Sequence, residues 1–190
     1  HYATSQLVRF SIDGQATNIG AAAMLSDVSP SPDGQWILVT SLARPFSYSV
    51  PLNYFPTTIA VWRPDGSVAR TLASRPLIER VPWGGDAAQV GPRNPSWRAD
   101  VPATLTWLEA LDGGDPTREA AKRDRLLALD APFAGEARTL LETEWRARGV
   151  TWARADLAIA REGQSRQRKA RVWVFDPSGR TAPRMLWERS

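Results

Sequence analysis

Asp112-Gly113-Gly114-Asp115 places two carboxylates around two glycines at the end of the stretch SWRADVPATLTWLEALDGGDP, Ser96–Pro116. Such a pair could ligate a metal, share proton-transfer work or turn the chain. A calcium loop needs about six oxygen ligands at ordered spacing, and only Asp112 and Asp115 are close at hand. Acid–base catalysis needs a partner nucleophile or base, yet the sequence holds a single His, His1, and no Cys. A Ser-His-Asp triad, a multi-His metal site, a cysteine nucleophile, a Cys-type zinc site, disulfides and c-type haem are excluded within these residues. No metal and no cofactor is expected. The turn reading is preferred, with the glycines supplying φ > 0.

The elements that must position this loop come from the rest of the 190 residues, of which 43% are hydrophobic and 9 are Trp. That is enough to bury a core within one domain. The net charge is +4 and the sequence pI about 10.1. A basic pI admits nucleic acid as a partner. However, 20 acidic residues are interspersed with 24 basic ones, so a solvated mixed surface is the expectation and no nucleic acid is expected. No apolar run reaches the roughly 18 residues that span a bilayer, and HYATSQLVRF has neither the basic start nor the apolar stretch of a signal peptide. No membrane partner is expected, and the absence of Cys fits any compartment. Arg and Ala are heavily used and Lys122 and Lys169 are the only lysines, which reads as the codon bias of a GC-rich genome; a bacterial source is expected, with the compartment, cytoplasmic or periplasmic, left open.

Two short patterns alternate along the chain. One is an apolar run, a polar turn ending in glycine and a second run: Leu7–Ile19, Ile59–Leu72, Leu126–Leu141 and Val172–Leu186, with Gly14, Gly66, Gly135 and Gly179 in the turns. The other has a strand-like lead-in, an Asp-containing turn and an apolar strand: Val28–Ala43, Asn94–Ala110 and Gly149–Glu162. Period-two alternation and flanking turn residues favour strands. The repeat spacing is of propeller-blade size, roughly 40–50 residues plus insertions. The fold class expected is all-β, a partial β-propeller of about three and a half four-stranded antiparallel blades. It is one partial propeller domain over 1–190, with a half blade at about 1–23 and blades at about 24–75, 76–145 and 146–190. A β-sandwich with similar hairpins is the alternative.

Arg44–Pro56 interrupts the second unit with Phe46, Tyr48, Tyr54 and Phe55. Those aromatics either pack on a neighbour, line an entrance or fold back on their own blade. Arg80–Asn94 joins units and is rich in Gly and Pro, and Gln164–Arg171 is a basic hairpin loop with no interleaved aromatic. Asp115–Asp130 has helical propensity from Glu119 to Arg125, enough for one or two turns, while Leu126–Leu129 reads as strand.

SPDGQWILVTSLARPFSYSVP and GPRNPSWRADVPATLTWLEALDGGDP resemble the propeller of the prolyl-oligopeptidase family of serine peptidases, in the glutamyl-specific branch of bacteria and plastids. The resemblance is strongest over Ser31–Pro51 and Gly91–Pro116. It implies an N-terminal propeller over a C-terminal α/β-hydrolase domain whose nucleophilic Ser lies in a G-x-S-x-G elbow. No such elbow is present: Ser165 has Gly163 two before it but Gln167 two after. The hydrolase domain is absent from these residues, and no catalytic residue carries over.

The resemblance further implies that the propeller covers the active site and admits peptides rather than folded proteins. Its implied partners are the parent's α/β-hydrolase domain and peptide substrates. A peptidase specific for acidic residues needs a cationic pocket, and the Arg fork suits a carboxylate. Arg44, Arg93 and Arg98 are the candidates for substrate binding, with surface or structural roles as the alternative for each. The chain alone is expected not to be an enzyme, and a stand-alone protein-interaction propeller is the other functional reading. Exposed blade edges are association hazards, so self-association is expected.

Overall fold

A four-residue turn closed by glycine recurs along the chain. In Ser11–Gly14, Ser31–Gly34, Arg63–Gly66 and Asp176–Gly179 the glycine N–H donates to the carbonyl three residues earlier at 2.9 to 3.0 Å. Each of these glycines takes φ between +69° and +85°, which a β-carbon would strain. Side chains brace the turns: Ser31 Oγ donates to Asp33 Oδ1 at 2.5 Å, and the Ser67 and Ser178 amides donate to Asp65 and Asp176 at 2.8 Å. These turns join antiparallel strands throughout. The structure is a computed structural model describing residues 3–79 and 84–190. Among the described residues there is no α-helix, and all three sheets are antiparallel.

The first of two compact units comprises His1–Val81 and the turn Pro132–Ala134. It holds β1 (Ser5–Phe10), β2 (Ala16–Pro30), β3 (Ile37–Leu42), β4 (Thr57–Trp62) and β5 (Val68–Arg75), a five-stranded sheet in sequence order. The 15-residue β2 serves two neighbours: Ala16–Ala23 pairs with β1 and Met24–Pro30 with β3. Leu38 and Val39 are successive residues pointing to opposite faces, and both are buried, as are Ile59, Ala60 and Val61 on β4. In the 44–56 loop, Phe46 stacks on Phe55 at 5.7 Å and Arg44 lies over the Phe46 ring. Part of that aromatic loop therefore packs on itself, while Tyr48 stays fully exposed.

The second unit, Pro82–Ala131 with Gly135–Ser190, contains two four-stranded sheets. One is β6 (Arg93–Trp97), β7 (Thr104–Ala110), β8 (Asp124–Asp130) and β9 (Arg138–Thr143). The other is β10 (Arg146–Arg154), β11 (Leu157–Gln164), β12 (Lys169–Phe175) and β13 (Arg184–Arg189), each in sequence order. They pack through Leu108, Leu126 and Leu141 on one side and Ala147, Ala158, Ala160 and Phe175 on the other. The three alanines leave room for the leucines, and Trp152 meets Phe175 edge-on at 6.2 Å. Burying each leucine contributes about 1.5–3 kcal/mol.

One sequence expectation differs from the structure. The segment from Glu119 to Arg125 forms no helix. A stretch this short cannot offset helix nucleation, and the β ladder claims its end: Arg123 N–H donates to the Thr143 carbonyl and Leu111 N–H to the Arg123 carbonyl, both at 2.8 Å. In the third hairpin the left-handed residue is Phe133, at φ +66°. Phe133 is buried and meets Trp36 edge-on at 5.0 Å, so packing holds the strained backbone. His1 and the segment 80–83 lie outside the described residues.

Candidate functional site

Asp124 opens β8 two residues before Leu126, on the face that Leu126 and Ala128 bury. A carboxylate at an inward strand position must be paired, and the second unit pairs it densely. Arg146, at the start of β10, donates from Nη1 to Asp124 Oδ1 at 2.6 Å and from Nη2 to Asp112 Oδ2 at 2.7 Å. Its Nε–H reaches the Asp86 carbonyl at 2.8 Å and Nη1 also reaches the Arg123 carbonyl at 3.2 Å. Arg123 adds a 2.8 Å bond to Asp112 Oδ2, and the Ala147 amide donates to Asp124 Oδ2 at 2.7 Å. The Arg146 side chain is 2% exposed and both carboxylates 0%.

Burial pushes the Asp112 carboxyl up, but hydrogen bonds from Arg146 and Arg123 and the Arg146 charge outweigh it and hold it below its ordinary range. Burial likewise works against the Arg146 charge, and Asp124 and Asp112 more than restore it. Arg93 on β6 completes the cluster with Nη2 at 2.6 Å from Asp124 Oδ1. That contact is one of charge alone: Nε and Nη2 of Arg93 are buried and meet no aligned hydrogen-bond acceptor. Three guanidinia thus face two carboxylates, an excess of one positive charge.

The two aspartates of the opening loop part company here. Asp112 belongs to the buried cluster and also accepts the Gly114 N–H at 2.9 Å. Asp115 is exposed and accepts the Thr117 N–H and Oγ1–H at 2.9 and 2.7 Å. Gly113 and Gly114 take φ +68° and +79°. A β-carbon on Gly114 would lie 2.0 Å from the Ala88 carbonyl oxygen, so only glycine fits. Among the described residues no three His, Cys, Asp or Glu side chains come together to hold a metal.

Beside the cluster lies a cleft of about 720 Å³ within the second unit. Its walls come from Gly84–Asp86, Pro116–Thr117, the Arg123 and Arg146 side chains and the β11–β12 turn, Gly163–Gln167. A latch ties two walls together: Ser165 N–H donates to both Asp86 carboxylate oxygens at 3.0 and 3.1 Å, Ser165 Oγ donates to the Gly85 carbonyl at 3.0 Å, and Arg148 bonds Asp86 Oδ1 and Ser165 Oγ. Ser165 is therefore a turn residue whose hydroxyl donates to a backbone carbonyl and not to a catalytic base. A further buried carboxylate, Glu162, accepts the Trp145 amide and the Trp173 indole N–H, both at 2.9 Å.

Arg44 belongs to the first unit and Arg93 and Arg98 to the second, where those two have different partners. Arg44 is exposed on the first unit, against Phe46 and before a cis proline. Arg93 sits in the buried cluster. Arg98, at the other end of β6, is buried, grips Asp100 through Nε at 3.0 Å and Nη2 at 2.5 Å, and lies 4.7 Å over the Trp152 ring. Sequence reasoning missed Asp124, Arg123 and Arg146. The one available signal was a charged residue in phase with the apolar face of β8.

No protein-family model matches the chain. Over its whole length it is 39% identical to a protein of Arabidopsis thaliana named probable glutamyl endopeptidase, chloroplastic, and 38% identical to one of the same name from Oryza sativa subsp. japonica. The chain spans about a fifth of the length of these curated relatives, 20% and 21%. Among solved structures, that of an uncharacterized protein from Listeria monocytogenes EGD-e aligns with 98% of this chain and 48% of its own at a TM-score of 0.56. Its 12% identity makes this a likeness of fold alone.

Proposed function

We propose that this chain is a non-catalytic β-propeller portion of a serine peptidase of the prolyl-oligopeptidase type that cleaves after acidic residues. In this reading it gates the access of peptides to an α/β-hydrolase domain. The observation that carries it is end-to-end similarity, at 38% to 39% identity, to proteins named as glutamyl endopeptidases that are about five times longer. The succession of open antiparallel sheets, each in sequence order, supports a propeller. In that picture β1 with the first part of β2 is the half blade of about 1–23, and the remainder forms blades over about 24–75, 76–145 and 146–190. The hydrolase domain and peptide substrates are its partners. Of the three arginines, Arg44 is exposed and stays available to a substrate carboxylate. Arg93 and Arg98 are held by Asp124 and Asp100, so they would act on a substrate by fixing the loops around them.

The test is turnover of Glu-containing peptides by the isolated chain and by the chain joined to the hydrolase portion of a relative. The isolated chain is expected to be inactive and the joined protein active on peptides but not on folded proteins. Turnover by the isolated chain, abolished by a serine-directed inhibitor, would overturn the proposal.

A further inference from the structure

We infer that the cleft of the second unit receives the side-chain carboxylate of an acidic peptide through Arg123 and Arg166; the choice of a peptide as occupant rests on the peptidase reading above. The charge count around the cleft leads there. Among the described residues Asp86 is the only carboxylate in the lining, and it is spent: its two oxygens take the Ser165 amide, and Oδ1 also takes Arg148. Arg146 is spent as well, with every guanidinium nitrogen donating to Asp112, Asp124 or a backbone carbonyl.

What remains is mainly cationic: the neighbouring Asp115 carboxylate feels the Arg118 and Arg123 charges but spends its Oδ1 on the Thr117 amide and hydroxyl. Arg123 uses Nη1 on Asp112 and the Arg118 carbonyl, leaving Nε and Nη2 without a protein acceptor among the described residues. Arg166, on the turn that forms the opposite wall, is exposed with no protein partner among the described residues. Behind them the buried cluster carries its excess of one guanidinium, so the field in the cleft favours an anion.

Two further features select a peptide over a bare anion. Gln164 and Gln167 line the same cleft, and an amide side chain offers both a donor and an acceptor to a peptide bond. The volume of about 720 Å³ lies in the range of ligand pockets, roughly 300–1,000 Å³, and exceeds what one small ion needs. The latch from Ser165 to Gly85 and Asp86 holds the turn that carries Arg166 against the opposite wall. A forked guanidinium on each side would grip a carboxylate by charge-assisted hydrogen bonds. Neither arginine was singled out by the sequence, because Arg166 lies in a loop that reads as solvated and Arg123 in a segment that reads as helix.

The probes are the blocked peptide acetyl-Ala-Glu-Ala-amide, its Gln counterpart and inorganic phosphate, titrated calorimetrically into the 190-residue chain. The Glu peptide is expected to bind at least tenfold more tightly than the Gln peptide, and its affinity to fall as salt is raised. Arg166→Ala removes no hydrogen bond or ion pair among the described residues and is expected to weaken the Glu peptide about tenfold, the scale of a hydrogen bond to a charged group. Arg123→Gln should do the same and Arg123→Lys should recover part of it, while Arg154→Ala, on the distant β10–β11 hairpin, should change nothing. Circular dichroism on each variant separates lost binding from lost folding.

Equal binding of the Glu and Gln peptides, or an Arg166→Ala affinity equal to the parent's, overturns the assignment. Phosphate binding as tightly as the Glu peptide also overturns it, since the cleft would then be a bare anion site. If Arg166→Ala leaves cleavage and binding of acidic peptides intact in the joined protein, this site fails and the peptidase reading survives. If the joined protein cleaves nothing, the peptidase reading fails and the titration still decides the cleft.

Discussion

Replacing Arg146 by Met keeps the bulk of a long side chain and removes the charge that holds the cluster together. Two carboxylates of 0% exposure then lose their shared partner, and two backbone carbonyls lose a donor. Removing one member of a buried ion pair costs about 3–5 kcal/mol. Asp112 keeps Arg123 and the Gly114 amide, and Asp124 keeps Arg93 and the Ala147 amide, so the lower end, about 3 kcal/mol, is expected. At about 2–4 °C per kcal/mol for a chain of this size, the melting temperature should fall by roughly 6–12 °C.

Urea unfolding followed by Trp fluorescence reads the free energy, and a thermal melt reads the temperature. The same variant should alter the acid limb. The folded Asp112 carboxyl titrates below its ordinary 3.8, so its contribution is present in full above that pH and is lost as pH falls through the lower folded value. Without Arg146 the Asp112 carboxyl moves up, and stability should fall less steeply below pH 3.8. Adding Asp112→Asn and Asp124→Asn should recover a good part of the loss, because the uncompensated charges are then gone. A single variant within about 1 kcal/mol of the parent, or a triple variant less stable than the single, would refute this account of the cluster.

Leu126→Ala, at the contact between the two sheets of the second unit, should cost about 2–5 kcal/mol in the same urea assay. Gly114→Ala should cost more than the roughly 1 kcal/mol typical of a left-handed glycine, since the new methyl lies 2.0 Å from the Ala88 oxygen; a neutral melt would show the loop to be free to shift. Arg98→Ala should lower stability through loss of Asp100 and the Trp152 face, about 1–3 kcal/mol; if it raised KM in the joined peptidase without touching the melt, Arg98 would be a substrate residue after all. Light scattering on the chain should find self-association at high concentration, because β13 is an edge strand with Met185, Leu186 and Trp187 all exposed; a monomer throughout would count against it.

Much of the local structure was legible in the sequence because it is set by short-range chemistry. The Ser-x-Asp-Gly and Pro-Asp-Gly turns need a left-handed fourth residue, and Gly14, Gly34 and Gly66 mark them. The alternating runs around Trp62, Leu108 and Val174 became strands because a period of two puts one face inward. The one misread element arose where neighbours overrode propensity. The Glu119–Arg125 segment was claimed by the Thr143 and Leu111 ends of the ladder, and the left-handed Phe133, whose ring is buried against Trp36, left no local signal.

By itself the sequence determined an all-β chain of repeated hairpins, with no triad and no cysteine chemistry, and with glycines where the backbone must turn left. Only the tertiary structure decided what the charges do. Asp112 and Asp115 are three residues apart, yet one is sealed under Arg146 and the other lies in solvent. Arg93 and Arg98 read alike in the sequence and end at opposite ends of one short strand with different carboxylates. The physical reason is that a charge takes its role from partners and burial, and those partners are brought together by strand pairing across tens of residues that no local pattern encodes.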